Sequence, residues 1–211
     1  MLFHCFAYGT SRFMTVGAIT IFAVGRNFEY FSEDPYLTGV CACEITKGVQ
    51  NDRPVIVCPK HFAANEQETF RRGNAGKNVD AVDSILTERA LRELYLKPFE
   101  MLVKDAGIAC IMTSFNKING SFAGGSHDLC THILREEWGF EGAVVTDWGD
   151  MDMVVDGADA VAAGNDIVMP GGPPVIRQIL KGYEEGRVTR EELEQAVRHL
   201  LIMIKRIRLA D

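Results

Sequence analysis

Five short apolar runs, most of them rich in β-branched residues, recur along the chain, and longer segments with helical periodicity separate them. The runs span Ala18–Val24, Pro54–Cys58, Ile108–Met112, Gly142–Val145 and Asp166–Met169. None of them alternates cleanly with polar residues, which is typical of strands that are buried on both faces. The pattern therefore predicts an α/β fold with a parallel sheet.

The intervening segments carry helix start and stop signals. The predicted helices span 84–103, 126–138, the region from Asp150 to 163, a segment that begins at Pro173, and a segment that begins after Thr189. Pro98 is expected to kink or divide the first of them. Ser126 and Gly139 are the expected cap and stop of the second, and Thr189 with Glu192 forms a capping box for the last.

Strands that alternate with helices allow either an open sheet or a closed barrel, and the periodicity does not decide between them. Polar residues follow four of the five runs, however: Arg26, then Lys60 and His61, then Ser114 and Asn116, then Asp147 and Trp148. In β/α barrels the site is built from the carboxyl ends of several strands, whereas an open sheet concentrates it at one switch point. This distribution favours a TIM-like (β/α) barrel.

Composition narrows the range of partners. The chain has 211 residues, a formal net charge of −7 and no long run of Lys or Arg, so nucleic acid is not an expected partner. Its apolar runs are far shorter than the ~20 residues of a membrane span, and without a clear signal peptide we expect a cytoplasmic location. The six cysteines show no C-x-x-C spacing, and neither they nor the histidines predict a metal site.

The side chains at the strand ends suit recognition of hydroxyl groups. Asp147 directly follows a buried strand and could act as a nucleophile, or it could cap the next helix, for which Asp150 is better placed. Lys60 and His61 are adjacent donors that would keep a nearby carboxylate ionised. Arg26 and Arg71 offer planar donors or structural ion pairs, and Trp148 offers a flat face for a sugar ring or for the core.

Several strings of the chain together resemble successive blocks of family 3 glycoside hydrolases, particularly the β-glucosidase-like members. The strings are GRNFEYFSEDPYLTG, KHFAANEQET, ERALRELYLKPFE, IMTSFNKINGS, LREEWGFEGAVVTDWGDM and AGNDIVMPGG. The resemblance covers about 25–209 and implies retaining hydrolysis of O-glycosidic bonds without a cofactor, on a β-linked glucoside or related oligosaccharide. It implies that Asp147 is the nucleophile and that Trp148 contacts the sugar. It also implies that Lys60, His61, Arg26 and Arg71 bind sugar hydroxyls, and that Phe115 replaces a tyrosine.

Two departures from the family pattern qualify the resemblance. Residues 1–24 do not resemble the family's usual opening segment, and we expect the barrel domain at 25–211 to lack its opening portion. The resemblance implies that the acid/base carboxylate comes from a second α/β domain, which we do not expect in this chain, so a second copy or a complementing chain is an expected source. Glu66 and Glu68 are the nearest internal candidates. A sugar-binding fragment without catalysis and a Schiff-base lyase that uses Lys60 are the alternatives.

Overall fold

The structure is a computed structural model that describes residues 4–5, 13–17, 29–52, 55–74, 78–148 and 154–208. Its strands are β1 (His4–Cys5), β2 (Phe13–Gly17), β3 (Ile56–Lys60), β4 (Asp83–Ser84), β5 (Cys110–Met112), β6 (Lys117–Ile118), β7 (Ser121–Phe122) and β8 (Ala143–Val145). Its helices are α1 (Pro35–Asp52), α2 (Glu88–Ala90), α3 (Lys97–Ala106), the π-helical α4 (Asp128–Glu137), α5 (Gly157–Ala163), α6 (Pro173–Glu184) and α7 (Arg190–Arg208).

The principal strands form a parallel arc in chain order. β2 pairs with β3 in parallel, and β5 pairs with β8 in parallel. A parallel bridge between Phe62 and Thr113 joins the two pairs, and a second bridge adds Ile167 beside Val145. β1 lies antiparallel to β2 at the other edge. Because these two edges do not pair with each other, the described residues form an open parallel arc. The sequence analysis predicted an incomplete TIM-like (β/α) barrel, and the described strands form no closed barrel.

Both faces of the arc are covered, which confirms the prediction from the unbroken apolar runs. Ile111 and Val144 point into a core shared with α1, α3 and α4. Their neighbours Cys110 and Val145 point to the other face, into a second core that includes Met203 of α7. This alternation is the two-residue period of a strand, here with apolar residues on both sides.

Helix α7 crosses the amino-terminal ends of the strands. His199 Nδ1 lies 2.8 Å from the Oδ1 of Asp166, just before Ile167, and Arg206 donates to the carbonyl oxygen of Gly107, before β5, at 2.9 Å. From residue 199 to residue 206 the helix rises about 10.5 Å. The Ile167 bridge, β8 and β5 lie side by side, and the two spacings between them amount to about 9.6 Å. The helix therefore matches the width of the arc segment that it covers.

Several predicted strand boundaries are wrong. The run at 18–24 lies outside the described residues, and the strand that pairs with β3 is the earlier 13–17. The second strand begins and ends two residues later than predicted, at Ile56 and Lys60. The predicted strand at 166–169 contributes one bridge, at Ile167. Residues 83–84 form β4 beside β6, and no element was predicted for α1.

Most helix signals are confirmed. A π-helical segment at Leu91–Leu96 ends just before Pro98, which has no N–H to donate, so the predicted division occurs there. The side-chain oxygen of Thr189 accepts from the Glu192 N–H, and Glu192 accepts in return from the Thr189 N–H. Helix α5 begins later than predicted, because Asp156 caps it; Asp150 lies outside the described residues.

Candidate functional site

The carboxyl ends of β3, β5 and β8 meet at one edge of the arc, because neighbouring parallel strands point the same way. Lys60 is the last residue of β3, Thr113 follows β5 and Thr146 follows β8. The segments that continue from these ends carry His61, Ser114 and Asp147. The strand ends thus bring together side chains that are far apart in sequence.

Asp147 and His61 form the centre of this group. Nε2 of His61 lies 3.3 Å from Oδ2 of Asp147, and both side chains are largely buried, with 3% and 14% exposed. Oδ1 of Asp147 accepts the backbone N–H of Trp148 at 2.7 Å. Both carboxylate oxygens of Asp147 thus have a nitrogen neighbour, and hydrogen bonds to a carboxylate favour its charged form. The Trp148 side chain is 57% exposed beside it, so it does not belong to the core.

Lys60 forms an ion pair that the sequence analysis did not predict. Its Nζ lies 3.2 Å from Oε2 of Glu29, and the two side chains are only 13% and 9% exposed. Glu29 lies shortly before α1, 31 residues before Lys60 in the sequence. In the sequence, the only indication that Glu29 belongs to the site was its place in the string GRNFEYF. Arg26, in the same string, lies outside the described residues.

Arg71 and Phe115 form a second group beside the loop after β3. Arg71 donates to the side-chain oxygen of Asn65 and lies 3.3 Å from Oε1 of Glu68. The guanidinium groups of Arg71 and Arg72 each lie 5.1 Å from the centre of the Phe115 ring. A ring contact of this kind orients a cation even where the aromatic residue has no hydroxyl.

Ser114 and Asn116 were predicted among the residues fit for chemistry, but their side chains are buried and bonded to the backbone. The Ser114 hydroxyl donates to the carbonyl oxygen of Ala63 at 2.7 Å, and the Asn116 amide donates to that of Gln67 at 2.5 Å. These bonds tie the loop after β3 to the end of β5. These contacts therefore support the shape of the site, and the side chains of Ser114 and Asn116 do not line it.

Glu66, one of the two internal acid candidates, lies in an unusual environment. Its Oε2 atom is fully buried and has no hydrogen-bond partner among the residues that the structure describes. Burial raises the pKa of the Glu66 carboxyl to about 7. The pKa of Tyr95 is raised by its own burial and then by the charge of Glu66, so these two groups are neighbours. Glu68, the other candidate, is paired with Arg71.

Further features of the described residues lie away from this edge. A cavity of about 450 Å³ lies between α4, α5 and α7, where Asp166 and His199 line it, at the opposite end of the strands from Asp147.

In the part of the chain that the structure describes, no group of three or more His, Cys, Asp or Glu side chains could hold a metal ion. Among the same residues, no helix combines the length and apolar character that crossing a bilayer requires.

Comparison with known proteins places these observations in a family. Residues 18–203 match the model of the glycosyl hydrolase family 3 N terminal domain. The chain is 40% identical over 185 residues to beta-glucosidase B of Emericella nidulans, which covers 87% of this chain and 20% of that protein. It is 43% identical over 171 residues to beta-glucosidase A of Butyrivibrio fibrisolvens, with 81% and 19% covered. The chain thus spans about a fifth of the length of these relatives.

Solved structures agree with the sequence relatives. Beta-glucosidase 3B from Thermotoga neapolitana in complex with glucose superimposes with a TM-score of 0.80 at 38% identity, covering 93% of this chain and 27% of that one. A family GH3 beta-glucosidase from Bifidobacterium adolescentis gives a TM-score of 0.82 at 36% identity, with 94% and 28% covered. The chain therefore belongs to glycosyl hydrolase family 3 and corresponds to the N terminal domain of that family.

Proposed function

We propose that the chain supplies the glycone-binding part of a retaining β-glucosidase-like site, in which Asp147 attacks the anomeric carbon of a β-linked glucoside. The observation that carries this proposal is the Asp147 carboxylate, held between the His61 ring and the Trp148 N–H. Ionisation is what a carboxylate nucleophile requires. The β-glucosidase relatives, and a neighbour that holds glucose, support the substrate class.

Lys60, His61 and Arg71 orient the sugar in this proposal, with Arg26 as a further donor and Trp148 as a stacking face. Each of the three described donors is fixed by contacts within the protein, with Glu29, Asp147 and Glu68 respectively. Fixed donors lose less conformational entropy when a ligand binds. Phe115 acts through the orientation of Arg71, since its ring lies against that guanidinium group.

The general acid is proposed to come from polypeptide beyond the described residues or from another chain. Retaining hydrolysis uses two carboxyl groups about 5 to 5.5 Å apart. Glu68 is engaged by Arg71, and Oε2 of Glu66 is fully buried, so neither is well placed to donate a proton to a substrate. The part of this chain that aligns with beta-glucosidase B covers only 20% of that protein. We likewise propose that the parallel arc is part of a β/α barrel completed by further strands.

The Schiff-base alternative has less support. A lysine nucleophile must be a free amine whose lone pair can reach a carbonyl carbon, whereas the Nζ of Lys60 lies 3.2 Å from the Glu29 carboxylate in a largely buried pair. A nitrogen that donates to a carboxylate in this way is arranged as a hydrogen-bond donor. The same contact that supports sugar binding therefore opposes lyase chemistry.

The test is covalent labelling with an activated 2-deoxy-2-fluoro-β-glucoside, whose first step does not depend on a general acid. We expect one label per chain, located on Asp147 by peptide mass spectrometry. Asp147→Asn should abolish the label, and Asp105→Asn, at an exposed carboxylate, should keep it. A label on another residue would exclude Asp147 as the nucleophile. Glucose binding by calorimetry without any label would favour a sugar-binding fragment.

A further inference from the structure

Glu29 lies deep in the site, and in the function proposed above it appears only as the ion-pair partner of Lys60. Its carboxylate is 9% exposed and lies 3.2 Å from the Lys60 ammonium at the end of β3. Withdrawing both charges from water is costly unless they are paired. The pair is therefore held in one arrangement, and Glu29 determines where the ammonium lies.

A second contact joins the same segment to the same loop. The Asn65 amide donates to the hydroxyl of Tyr30 at 2.7 Å, and Asn65 is almost fully buried. Glu29 and Tyr30 thus hold the chain at positions 60 and 65, on both sides of His61. Asn65 also accepts a hydrogen bond from Arg71. The segment with Glu29 and Tyr30 therefore contacts Lys60, the neighbour of His61, and Asn65, the partner of Arg71.

The position of Lys60 matters because His61, its neighbour in sequence, lies 3.3 Å from the carboxylate of Asp147. The flexible side chain of Lys60 could turn towards that same carboxylate. A lysine ammonium is a compact charge on a flexible stem of four carbons, with about 2 kcal/mol of rotamer entropy. Without a partner of its own it would be attracted to Asp147, where it would shield the carboxylate and withdraw its donors from a ligand.

We propose that Glu29 is a positioning residue for sugar binding: its carboxylate holds the Lys60 ammonium in place as a donor to hydroxyl groups and keeps it away from Asp147. An ammonium has three N–H donors, and Glu29 is its one ion-pair partner among the described residues. Further donors are therefore available to a ligand. The identity of that ligand as a glucoside rests on the proposed function, whereas the effect of Glu29 on Lys60 does not.

The first experiment needs no sugar. Competitive acetylation with acetic anhydride, quantified by peptide mass spectrometry, compares Lys60 with the exposed Lys104 in the same sample. In Glu29→Gln, which keeps the shape and removes the charge, we expect Lys60 to pair with Asp147, so that adding Asp147→Asn makes Lys60 react several-fold faster relative to Lys104. In the native chain, and in the control Glu33→Gln at an exposed position four residues on, adding Asp147→Asn should leave the ratio unchanged. Equal ratios in Glu29→Gln with and without Asp147→Asn would overturn the proposal.

The second experiment measures coupling. Glucose affinity is determined by calorimetry for the native chain, Glu29→Gln, Lys60→Met and the double variant, with thermal unfolding recorded for each. We expect Glu29→Gln to weaken binding by about ten-fold, typical for the loss of a well-placed charged donor. It should have no further effect in the Lys60→Met background.

Two other outcomes separate the possible failures. Equal losses from Glu29→Gln in both backgrounds would mean that Glu29 acts on general structure, and the positioning role would be rejected. A native chain that binds no glucose would count against the proposed function, while the acetylation ratio would still decide the effect of Glu29 on Lys60.

Discussion

Replacing Glu66 with glutamine should stabilise the protein in alkaline solution and have little effect in acid. The Glu66 carboxyl is buried next to Tyr95, and its pKa is raised from 4.5 to about 7 because burial disfavours the charged form. In the unfolded chain the group ionises at its ordinary pKa. Between those two values the folded state holds a proton that the unfolded state has lost, so stability falls as pH rises.

The size of the effect follows from the shift. A tenfold change in an acid equilibrium constant corresponds to about 1.36 kcal/mol, so the rise of the Glu66 pKa from 4.5 to about 7 makes the free energy of unfolding up to about 3 kcal/mol lower above pH 7 than below pH 4.5. This is an upper bound, because Glu66 as a whole is partly exposed although its Oε2 atom is fully buried. Glutamine has nearly the same shape and no charge, so Glu66→Gln should remove this pH dependence.

The assay is urea denaturation of the native chain and Glu66→Gln at a series of pH values from about 4.5 to 8. The two free energies of unfolding should coincide near the acidic end and diverge towards pH 8, with the variant more stable. Glu184→Gln, at an exposed position, should follow the native chain throughout. If the two free energies of unfolding differed by the same amount at every pH, or if the variant were less stable at pH 8, the conclusion that Glu66 is buried as a neutral carboxyl would be refuted.

Two further predictions concern the packing that supports the site. Arg135→Ala should lower the free energy of unfolding by about 3 kcal/mol or more, because it leaves the buried Asp166 carboxylate without its guanidinium partner at 2.7 Å. Urea denaturation measures this loss. A loss below about 1 kcal/mol would mean that the contacts of Asp166 with His199 and the Val144 N–H are enough to stabilise its carboxylate. Gly182→Ala should destabilise the protein because the new Cβ would overlap that of Ala158 where α6 meets α5. Gly48→Ala is the matched control, since its Cβ would meet open space within α1, and it should raise stability by about 0.5 to 1 kcal/mol. Equal thermal shifts for the two glycine variants would contradict this reading.

Local signals in the sequence predicted local structure well. The Thr189–Glu192 capping box and the break before Pro98 depend on residues three or four positions apart, and both are present. Ser84 was predicted to begin a helix because leucines follow at helical spacing. It instead belongs to β4 and pairs with β6, more than 30 residues away, and Thr87 caps the helix that follows. The competing contact was non-local, so no window of sequence could reveal it.

The same limit applies to the site. A polar residue directly after an apolar run predicts a strand end, and this brought Lys60, His61 and Asp147 into consideration. Which carboxylate faces which cation depends on how loops from different strands meet, and the Glu29–Lys60 pair joins residues 31 positions apart. Ser114 and Asn116 satisfied the same sequence criterion, yet their side chains are buried and bonded to the backbone. Position at a strand end therefore identifies candidates, and side-chain contacts distinguish among them.

The pairing of charges bears on what kind of ligand the site suits. Lys60 lies against Glu29, His61 against Asp147 and Arg71 against Glu68, so each described donor has a carboxylate neighbour. A site built for phosphate or carboxylate would leave an excess of positive charge facing the ligand. In these three pairs positive charge is not in excess, while the N–H groups that remain can still donate hydrogen bonds. That combination suits a neutral ligand rich in hydroxyl groups, and it explains why cationic side chains can gather around a carboxylate without making the site selective for anions.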